Sequence, residues 1–480
     1  MRKNPGNKTP AILFAVLALA LAIRIPFIGT PALSMRQADN ASIARNYLEG
    51  GMNFLRPQIN WSGSGTGVVQ TEFPVYQYSL ALVYKVFGVN DAWGRGLSIA
   101  FSLLAIFAMF LLVRDIMGPV AGVWSAFALA VFPIFAELSQ DIMVESMMLF
   151  ACVLAVLSLH WWLGGRGTRW YWLFVVSASL AGLLKIIALV HLFFPVVFLL
   201  WLRHRWRAAA RREIWIALVL ILAPVLAWYA WSGVLLKETG NSVFGDWRYG
   251  TDKWGNWSML FSWKFWNRVV FQGVAEKNLT WAGFLPFLAG LFSSRRRPEE
   301  RVFDWWLAGC LVYSAVVTQG NYIHRYYQVP YVLASSAIVA RGFIRLSAGQ
   351  RWVAPLLAAA FAVMGAWRGF LEMDPGMARE IPPLARMLKE QSAPGDMVIA
   401  FDDSNPRILY LSHRKGWVAG DDGFRNGAVR QARMAGARWI AGRYPDPQNP
   451  RKVREIRDQL RSWRVISDNG RVFLAGVKRP

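Results

Sequence analysis

The stretch AILFAVLALALAIRIPFIG, residues 11–29, is an almost unbroken apolar run. Its length is close to the roughly 20 residues that an α-helix needs to cross the hydrocarbon core of a bilayer. A basic N-terminus with Arg2, Lys3 and Lys8 precedes the run, and no convincing small-residue cleavage site follows it. These features predict an uncleaved signal anchor.

Further apolar runs follow along the chain, and together they predict an α-helical membrane protein with about eleven spans. After residues 11–29, their approximate bounds are 93–113, 119–136, 146–163, 170–184, 186–202, 214–234, 280–293, 303–318, 329–345 and 353–370. The composition agrees, because 55% of the 480 residues are hydrophobic and only 17% are charged, which is atypical of a soluble protein. Cys152 and Cys310 both lie in apolar runs, so we expect buried thiols without a disulfide framework or metal cluster.

The net charge of +24 does not indicate a nucleic-acid-binding protein, because Lys and Arg cluster between the apolar runs rather than on one soluble module. If about eleven spans alternate, the basic connections, such as 203–212 and 295–301, fall on the same side as the N-terminus. By the positive-inside rule, that side is the cytoplasm. We therefore expect a multi-pass membrane protein with a cytoplasmic N-terminus.

The opposite connections are longer and rich in Trp and Tyr, and the tail after about residue 371 lies on the same side. In this tail, strands are predicted for four segments, DMVIAFDD, ARWIAGRY, WRVISDNG and RVFLAGVK. Helices are predicted for two segments, REIPPLARMLKEQ and NPRKVREIRDQL. The sequence thus predicts two domains. Residues 1–372 form a transmembrane catalytic domain whose outer loop, 30–92, carries interfacial helices, and residues 373–480 form a small soluble periplasmic α/β domain.

Four carboxylates and one lysine occupy the outer connections, namely Asp39, Glu72, Asp141, Glu145 and Lys185. Each has an ordinary structural explanation: a helix N-cap for Asp39, a solvated helix start for Glu72, a wet loop for Asp141 and Glu145, and a snorkelling side chain for Lys185. If SQDIMVESMMLF is helical, Asp141 and Glu145 lie on one face. Carboxylates at a membrane boundary are costly unless they are solvated or used.

One chemistry fits acidic groups and a buried cation beside a lipid phase. A sugar carried on a polyprenyl phosphate has an anionic leaving group, which a cation can stabilise without a general acid. A carboxylate can deprotonate the incoming hydroxyl. A single displacement of this kind inverts the anomeric centre.

At these residues the chain resembles the GT-C membrane glycosyltransferases, and within them glycosyltransferase family 39, which includes protein O-mannosyltransferases and the lipid A aminoarabinose transferase. The resemblance implies a GT-C fold with Asp39 as the catalytic base, although Asn40 stands where the family commonly has Glu. The family's second acidic position typically lies in a pattern of an Arg, four further residues and then an Asp. In this chain, Gln140 and Glu145 occupy the positions of that Arg and that Asp. The resemblance also implies that Lys185 contacts the donor phosphate.

Two further segments resemble the family pattern. TEFP is similar to the Phe-Glu-Lys-Pro segment of the aminoarabinose transferase, which implies a metal-binding role for Glu72, although residues 235–279 contain no partner His. NYIHRYYQVPY resembles the His-x-Tyr-Tyr segment of bacterial members, which places His324, Tyr326 and Tyr327 among the candidate substrate-binding residues, unless they form an interfacial aromatic belt.

The sequence therefore favours an inverting glycosyltransferase that uses a polyprenyl-phosphate sugar, with Asp39 and Glu145 as catalytic residues. Arg36, Asp141, Lys185 and the His-x-Tyr-Tyr residues would bind substrate. The expected partners are the lipid donor, a lipid, glycan or protein acceptor, and membrane lipids, with a divalent metal ion as the one cofactor left open. The alternatives are a lipid-linked-sugar flippase or other transporter, and a polymerase or ligase with a pyrophosphate-linked donor. A transporter predicts charged residues at the midplane, whereas these residues gather at the outer ends.

Overall fold

The structure is a computed structural model that describes residues 8–31, 34–244, 254, 257–371, 375–420, 423 and 427–477. The chain forms two compact units. The first, here the helical unit, comprises Met1–Ile28, Arg95–Ala230 and Gly245–Glu372, and the second, the mixed unit, comprises Gly29–Gly94, Trp231–Phe244 and Met373–Pro480. The outer loop and the tail therefore share one unit, and the division at residue 372 stays a prediction.

The helical unit is built from α-helices. Its helices are Thr9–Arg24, Asp91–Met117, Pro119–Val131, Pro133–Leu138, Glu145–Leu163, Thr168–Leu184, Ala188–His204, Arg212–Thr239, Trp257–Leu260, Trp263–Trp266, Thr280–Leu291, Arg301–Val316, Thr318–Ile323, Tyr331–Gly349 and Val353–Leu371, and the first residues of Asp91–Met117 and the last of Arg212–Thr239 lie in the mixed unit. Shorter 3₁₀ turns cover Ile25–Phe27, Arg205–Ala210, Pro298–Glu300 and Arg325–Gln328, and Asn267–Asn278 is a π-helix.

Every predicted span lies on a helix, which confirms a multi-pass helical membrane protein. Six helical segments among the described residues are long and apolar enough to cross a membrane: Thr9–Phe27, Asp91–Met117, Glu145–Leu163, Ala188–Ala210, Arg212–Thr239 and Tyr331–Gly349. Three further apolar helical segments are shorter, namely Pro119–Val131, Thr280–Leu291 and Val353–Arg368. The count of about eleven spans stays a prediction.

The predicted span 119–136 is not one continuous helix. It breaks at Phe132, whose backbone is extended (φ −57°, ψ 121°), and a second short helix begins at Pro133. The break has a local cause, because the ring of a proline clashes with a helical conformation of the residue before it. The short helix that follows, Pro133–Leu138, carries Glu137.

The mixed unit contains a five-stranded sheet in the order β2-β1-β3-β5-β4. Its strands are β1 Met397–Phe401, β2 Gly416–Ala419, β3 Ala437–Arg443, β4 Trp463–Asp468 and β5 Val472–Val477, and its helices are Met35–Glu49, Val75–Phe87, Pro375–Gln391, Arg407–Ser412, Ala428–Met434 and Pro450–Leu460. β1 is parallel to β2 and β3, whereas β5 is antiparallel to β3 and β4. The predicted strands and helices of the tail are all present, and β2 is an addition that the sequence did not predict.

Side chains alternate between the two faces of this sheet, as the two-residue period of a strand requires. Ile399 and Phe401 of β1 belong to a cluster on one face, whereas Val398 and Ala400 belong to a cluster on the other. Trp61, from the outer loop, packs against the second cluster. The first outer loop therefore contributes to the core around the tail's sheet.

Candidate active site

The candidate residues form two groups, one in each unit. The helical unit holds Asp141, Glu145, Lys185, His324, Tyr326 and Tyr327, and the mixed unit holds Arg36, Asp39 and Glu72.

Lys185 and Glu145 form a buried ion pair. The Lys185 Nζ atom lies 2.5 Å from Glu145 Oε1, and the two side chains are only 13% and 2% exposed. Glu145 is the first residue of its helix, and Lys185 is the C-cap of Thr168–Leu184. Each charge therefore lies at the helix end where the helix dipole favours it, and this local placement partly offsets the cost of burying the pair.

The His-x-Tyr-Tyr segment joins this pair. Lys185 Nζ lies 5.0 Å from the centre of the Tyr326 ring and 5.6 Å from that of Tyr327, within the range of cation–π attraction. The exposed His324 ring stacks on Tyr326 with ring centres 5.2 Å apart. The structure thus brings together Glu145, Lys185 and the three residues of this motif.

A buried oxygen of Glu145 remains unused within the described part of the chain. Oε1 accepts from Lys185, but Oε2 has no hydrogen-bond partner. An unpartnered buried carboxylate oxygen is costly, and it can accept a hydrogen bond from a bound hydroxyl group.

Asp141 does not share a helical face with Glu145, because residues 139–144 form turns and bends and the helix begins only at Glu145. The nearly buried Arg95 donates to the Gln140 carbonyl at 2.6 Å and lies 3.4 Å from Asp141 Oδ1. The pKa of Asp141 is raised to about 6, because burial raises it more than Arg95 lowers it, and the charge of Glu145 also raises it.

Asp39 lies inside a helix rather than at its cap. Ser34 is the N-cap of Met35–Glu49 and accepts from the Gln37 N–H at 3.3 Å, so Asp39 is the fifth helical residue and the N-cap explanation is wrong. Its side chain is only 4% exposed, and the indole N–H of Trp61 donates to Asp39 Oδ1 at 2.9 Å.

The ionisation of Asp39 is set by opposing effects. Its pKa is raised to about 6, because burial raises it more than the Trp61 hydrogen bond and the positive charge of Arg36 lower it, and the negative charge of Glu72 also raises it. Arg36 and Glu72 are therefore close enough to Asp39 to affect its ionisation. The neighbouring Asn40 accepts from the Gln77 amide at 2.8 Å and so joins Met35–Glu49 to Val75–Phe87.

Comparisons with known proteins bear on the fold that holds these residues. A family model described as dolichyl-phosphate-mannose-protein mannosyltransferase matches residues 71–231. The chain is similar to ArnT from Cupriavidus metallidurans in its complex with undecaprenyl phosphate, with a TM-score of 0.69 at 12% identity over 97% of this chain and 99% of ArnT. The chain has the GT-C glycosyltransferase fold. Within that fold it resembles glycosyltransferase family 39.

Two further GT-C structures are similar. The oligosaccharyltransferase of Archaeoglobus fulgidus, in complex with zinc and sulfate, gives a TM-score of 0.61 at 12% identity over 97% of this chain and 73% of that one. The mycobacterial arabinofuranosyltransferase AftD gives 0.56 at 14% identity over 99% of this chain and 40% of AftD. A search of curated protein sequences found no significant match.

The metal-binding role of Glu72 stays a prediction. Asp39 and Glu72 interact electrostatically, but among the described residues no three His, Cys, Asp or Glu side chains come together as a metal site. The positive charge of Arg36 also acts on Asp39. No catalytic step is therefore assigned to a metal at Glu72.

Three residues near these candidates were not predicted from the sequence. Arg95 places an arginine next to Asp141, close to the position where the family pattern has Arg and this chain has Gln140. A charged residue at the start of an apolar run is unusual, and this could have marked Arg95 as a candidate. Arg325 forms an ion pair with Glu137, whereas the resemblance of this segment to the family motif indicates only His324, Tyr326 and Tyr327. Trp61 carries no local signal that relates it to Asp39.

Proposed function

We propose that this protein is an inverting glycosyltransferase that moves a sugar from a polyprenyl phosphate to an acceptor hydroxyl at the periplasmic face of a bacterial inner membrane. The proposal is supported above all by the environment of Asp39. It is buried, its carboxylate accepts from Trp61, and its pKa is raised to about 6. A group with this pKa is ionised at neutral pH and still basic enough to accept a proton.

The reaction needs one proton acceptor and one cation. The acceptor oxygen attacks the anomeric carbon, the bond from that carbon to the phosphate oxygen breaks, and the phosphate leaves with the electron pair. The hydroxyl proton passes to an Asp39 carboxylate oxygen. Lys185 stabilises the charge on the departing phosphate, and its ion pair with Glu145 and its place on the Tyr326 and Tyr327 rings hold the ammonium in position.

The remaining candidates would bind the two substrates. Glu145 Oε2, which has no partner within the described residues, would accept a hydrogen bond from a sugar or acceptor hydroxyl. The exposed His324 and the partly buried Arg36 would donate to the phosphate. Asp141 would orient the acceptor from its place beside Arg95.

The comparisons support the class of donor. The ArnT structure to which the chain is similar holds undecaprenyl phosphate, and the matching family model is described by a dolichyl-phosphate sugar donor and covers Glu72, Asp141, Glu145 and Lys185. The acceptor is assigned here only as a hydroxyl group, carried by a lipid, a glycan or a protein.

The test is sugar transfer by purified protein from synthetic undecaprenyl-phosphate sugars onto acceptors in a cell-envelope extract. Asp39→Asn should lower the rate about 10²–10⁴-fold, the usual contribution of a general base. Asp458→Asn, at a side chain that is 60% exposed, is the matched control and should transfer normally. Full activity of Asp39→Asn would refute the base assignment, and failure of the wild-type protein to consume any donor would refute the transferase assignment.

A transport assay separates the main alternative. The protein is reconstituted into vesicles that contain a fluorescent polyprenyl-phosphate sugar, the acceptors of the cell-envelope extract are added, and both exposure of the lipid on each leaflet and loss of its sugar are followed. Translocation without sugar release would favour a flippase, whereas release of undecaprenyl phosphate favours the transferase.

A further inference from the structure

Trp61 connects the candidate base to the core of the C-terminal sheet. Its indole N–H donates to Asp39 Oδ1 at 2.9 Å, while its ring packs against the cluster that includes Val398, Ile408 and Leu474. One side chain therefore contacts both the functional carboxylate and the α/β core.

The backbone on either side of Trp61 is fixed by the first residue of β2. The Gly416 N–H donates to the Asn60 carbonyl at 2.9 Å, and the Gly63 N–H donates to the Gly416 carbonyl at 2.6 Å. Gly63 has a φ of +63°, and a Cβ atom added there would lie 2.3 Å from the Trp417 Nε1 atom. This approach of the loop to β2 therefore requires glycine at position 63.

The helix that carries Asp39 also forms hydrogen bonds to the loop before Trp61 and to Tyr410 of the C-terminal segment. Asn46 donates to the Asn60 side chain at 2.9 Å and to the Gln58 carbonyl at 2.8 Å. Arg45 donates to the Tyr410 carbonyl at 2.9 Å, and its guanidinium lies 4.4 Å from the centre of the Tyr410 ring. Helix, loop and sheet thus hold the Asp39–Trp61 contact from both sides.

We propose that Trp61 is a positioning residue for Asp39 and that the C-terminal sheet acts on catalysis by fixing the loop that carries Trp61. The proposal rests on the proposed function, because it gives Trp61 the task of holding the base. The indole N–H can only donate, so it holds one carboxylate oxygen of Asp39 and leaves the other for the acceptor proton.

The hydrogen bond also affects when the base is ionised. A donor to a carboxylate stabilises its charged form, so Trp61 lowers the pKa of Asp39 against the effect of burial. Within the described part of the chain, the other charged groups that act on Asp39 are Arg36 on its own helix and Glu72 from the segment before Val75–Phe87. Removing the indole donor leaves these charges in place and raises the pKa of Asp39 further.

The experiment compares Trp61→Phe with Trp439→Phe. Both variants lose an indole N–H that donates to a carboxylate, and both side chains pack against the same cluster, but Trp439 donates to Asp396 at 3.0 Å instead of Asp39. Transfer is measured as kcat/KM against pH. For Trp61→Phe we expect the midpoint of the acidic limb to move up by about 1 pH unit and the plateau to fall about tenfold, whereas Trp439→Phe keeps the wild-type midpoint.

Gly63→Ala tests the role of the sheet without changing Trp61. We expect the midpoint to move in the same direction as in Trp61→Phe, because the loop can no longer approach β2 closely. Thermal unfolding of each purified variant shows whether it is folded. If Trp61→Phe and Gly63→Ala both fail to fold while Trp439→Phe folds, Trp61 serves the fold and the positioning role is refuted.

The outcomes for the two proposals are distinguishable. If Asp39→Asn is fully active, the base assignment of the proposed function fails, whatever Trp61 does. If Asp39→Asn is inactive but folded Trp61→Phe keeps the wild-type midpoint and plateau, the base assignment stands and the positioning role of Trp61 is overturned.

Discussion

Asp39→Asn should stabilise the protein at neutral pH although it removes the candidate base. Burial raises the pKa of Asp39 from 3.8 to about 6. Between these values the folded protein keeps a proton that the unfolded chain has lost, so stability falls as pH rises through this window. About two pKa units at roughly 1.4 kcal/mol each give a cost of about 3 kcal/mol above pH 6.

Asparagine carries no charge and can still accept from Trp61 through its side-chain oxygen, so it should avoid this cost. The assay is chemical unfolding of the purified protein in detergent at pH 4.5 and pH 7.5. We expect the variant to be more stable than wild type by up to about 3 kcal/mol at pH 7.5, with a much smaller difference at pH 4.5. Asp458→Asn, at an exposed position, is the control and should follow the wild type at both pH values.

The reasoning fails if Asp39→Asn and the wild type have the same stability at both pH values, because Asp39 would then not be a buried carboxyl with a raised pKa. It also fails if the variant is less stable at pH 7.5, since the carboxylate would then stabilise the fold and would be a structural group.

Other buried charges give further predictions. Lys185→Met should cost about 3–5 kcal/mol in thermal unfolding because it leaves Glu145 buried and unpaired, and Lys185→Met/Glu145→Gln should regain most of this stability but not transfer activity. Arg95→Ala should lower the free energy of unfolding by about 2–3 kcal/mol, because charged hydrogen bonds are lost. The loss should be larger at pH 7.5 than at pH 5, because the raised pKa of Asp141 keeps this group protonated at the lower pH. Equal losses at the two pH values would contradict this. Asp402→Asn should destabilise by about 3 kcal/mol, since it leaves the buried Arg407 without its ion pair, but should leave the pH midpoint of transfer unchanged.

The parts of the fold that the sequence predicted are those encoded by local patterns. Apolar runs specify where helices lie because length and hydropathy are local properties, and the four longer strands of the tail show clear apolar stretches. β2 escaped prediction because its four residues, GWVA, are too short to show a period. Its pairing with β1 depends on residues elsewhere in the sheet.

The candidate site was predictable only in part for the same reason. The sequence marked Lys185 and Glu145 as charges at apolar boundaries, but their ion pair joins residues 40 positions apart, and the placement of Tyr326 and Tyr327 beside Lys185 depends on the packing of several helices. Asp39 and Trp61 are 22 positions apart. Nothing in the local sequence NWSGSG relates that tryptophan to an aspartate on the preceding helix.

Asn40 was the strongest sequence argument against a catalytic Asp39, because the family commonly has Glu there. The structure gives this position a different task, since the Asn40 oxygen accepts from the Gln77 amide at 2.8 Å. A carboxylate at position 40 would add a second negative charge next to Asp39, whose pKa is already raised by the charge of Glu72. Like charges raise the pKa of a carboxyl group, so a neutral residue here helps to keep Asp39 ionised at neutral pH, which the proposed role of Asp39 as a base requires.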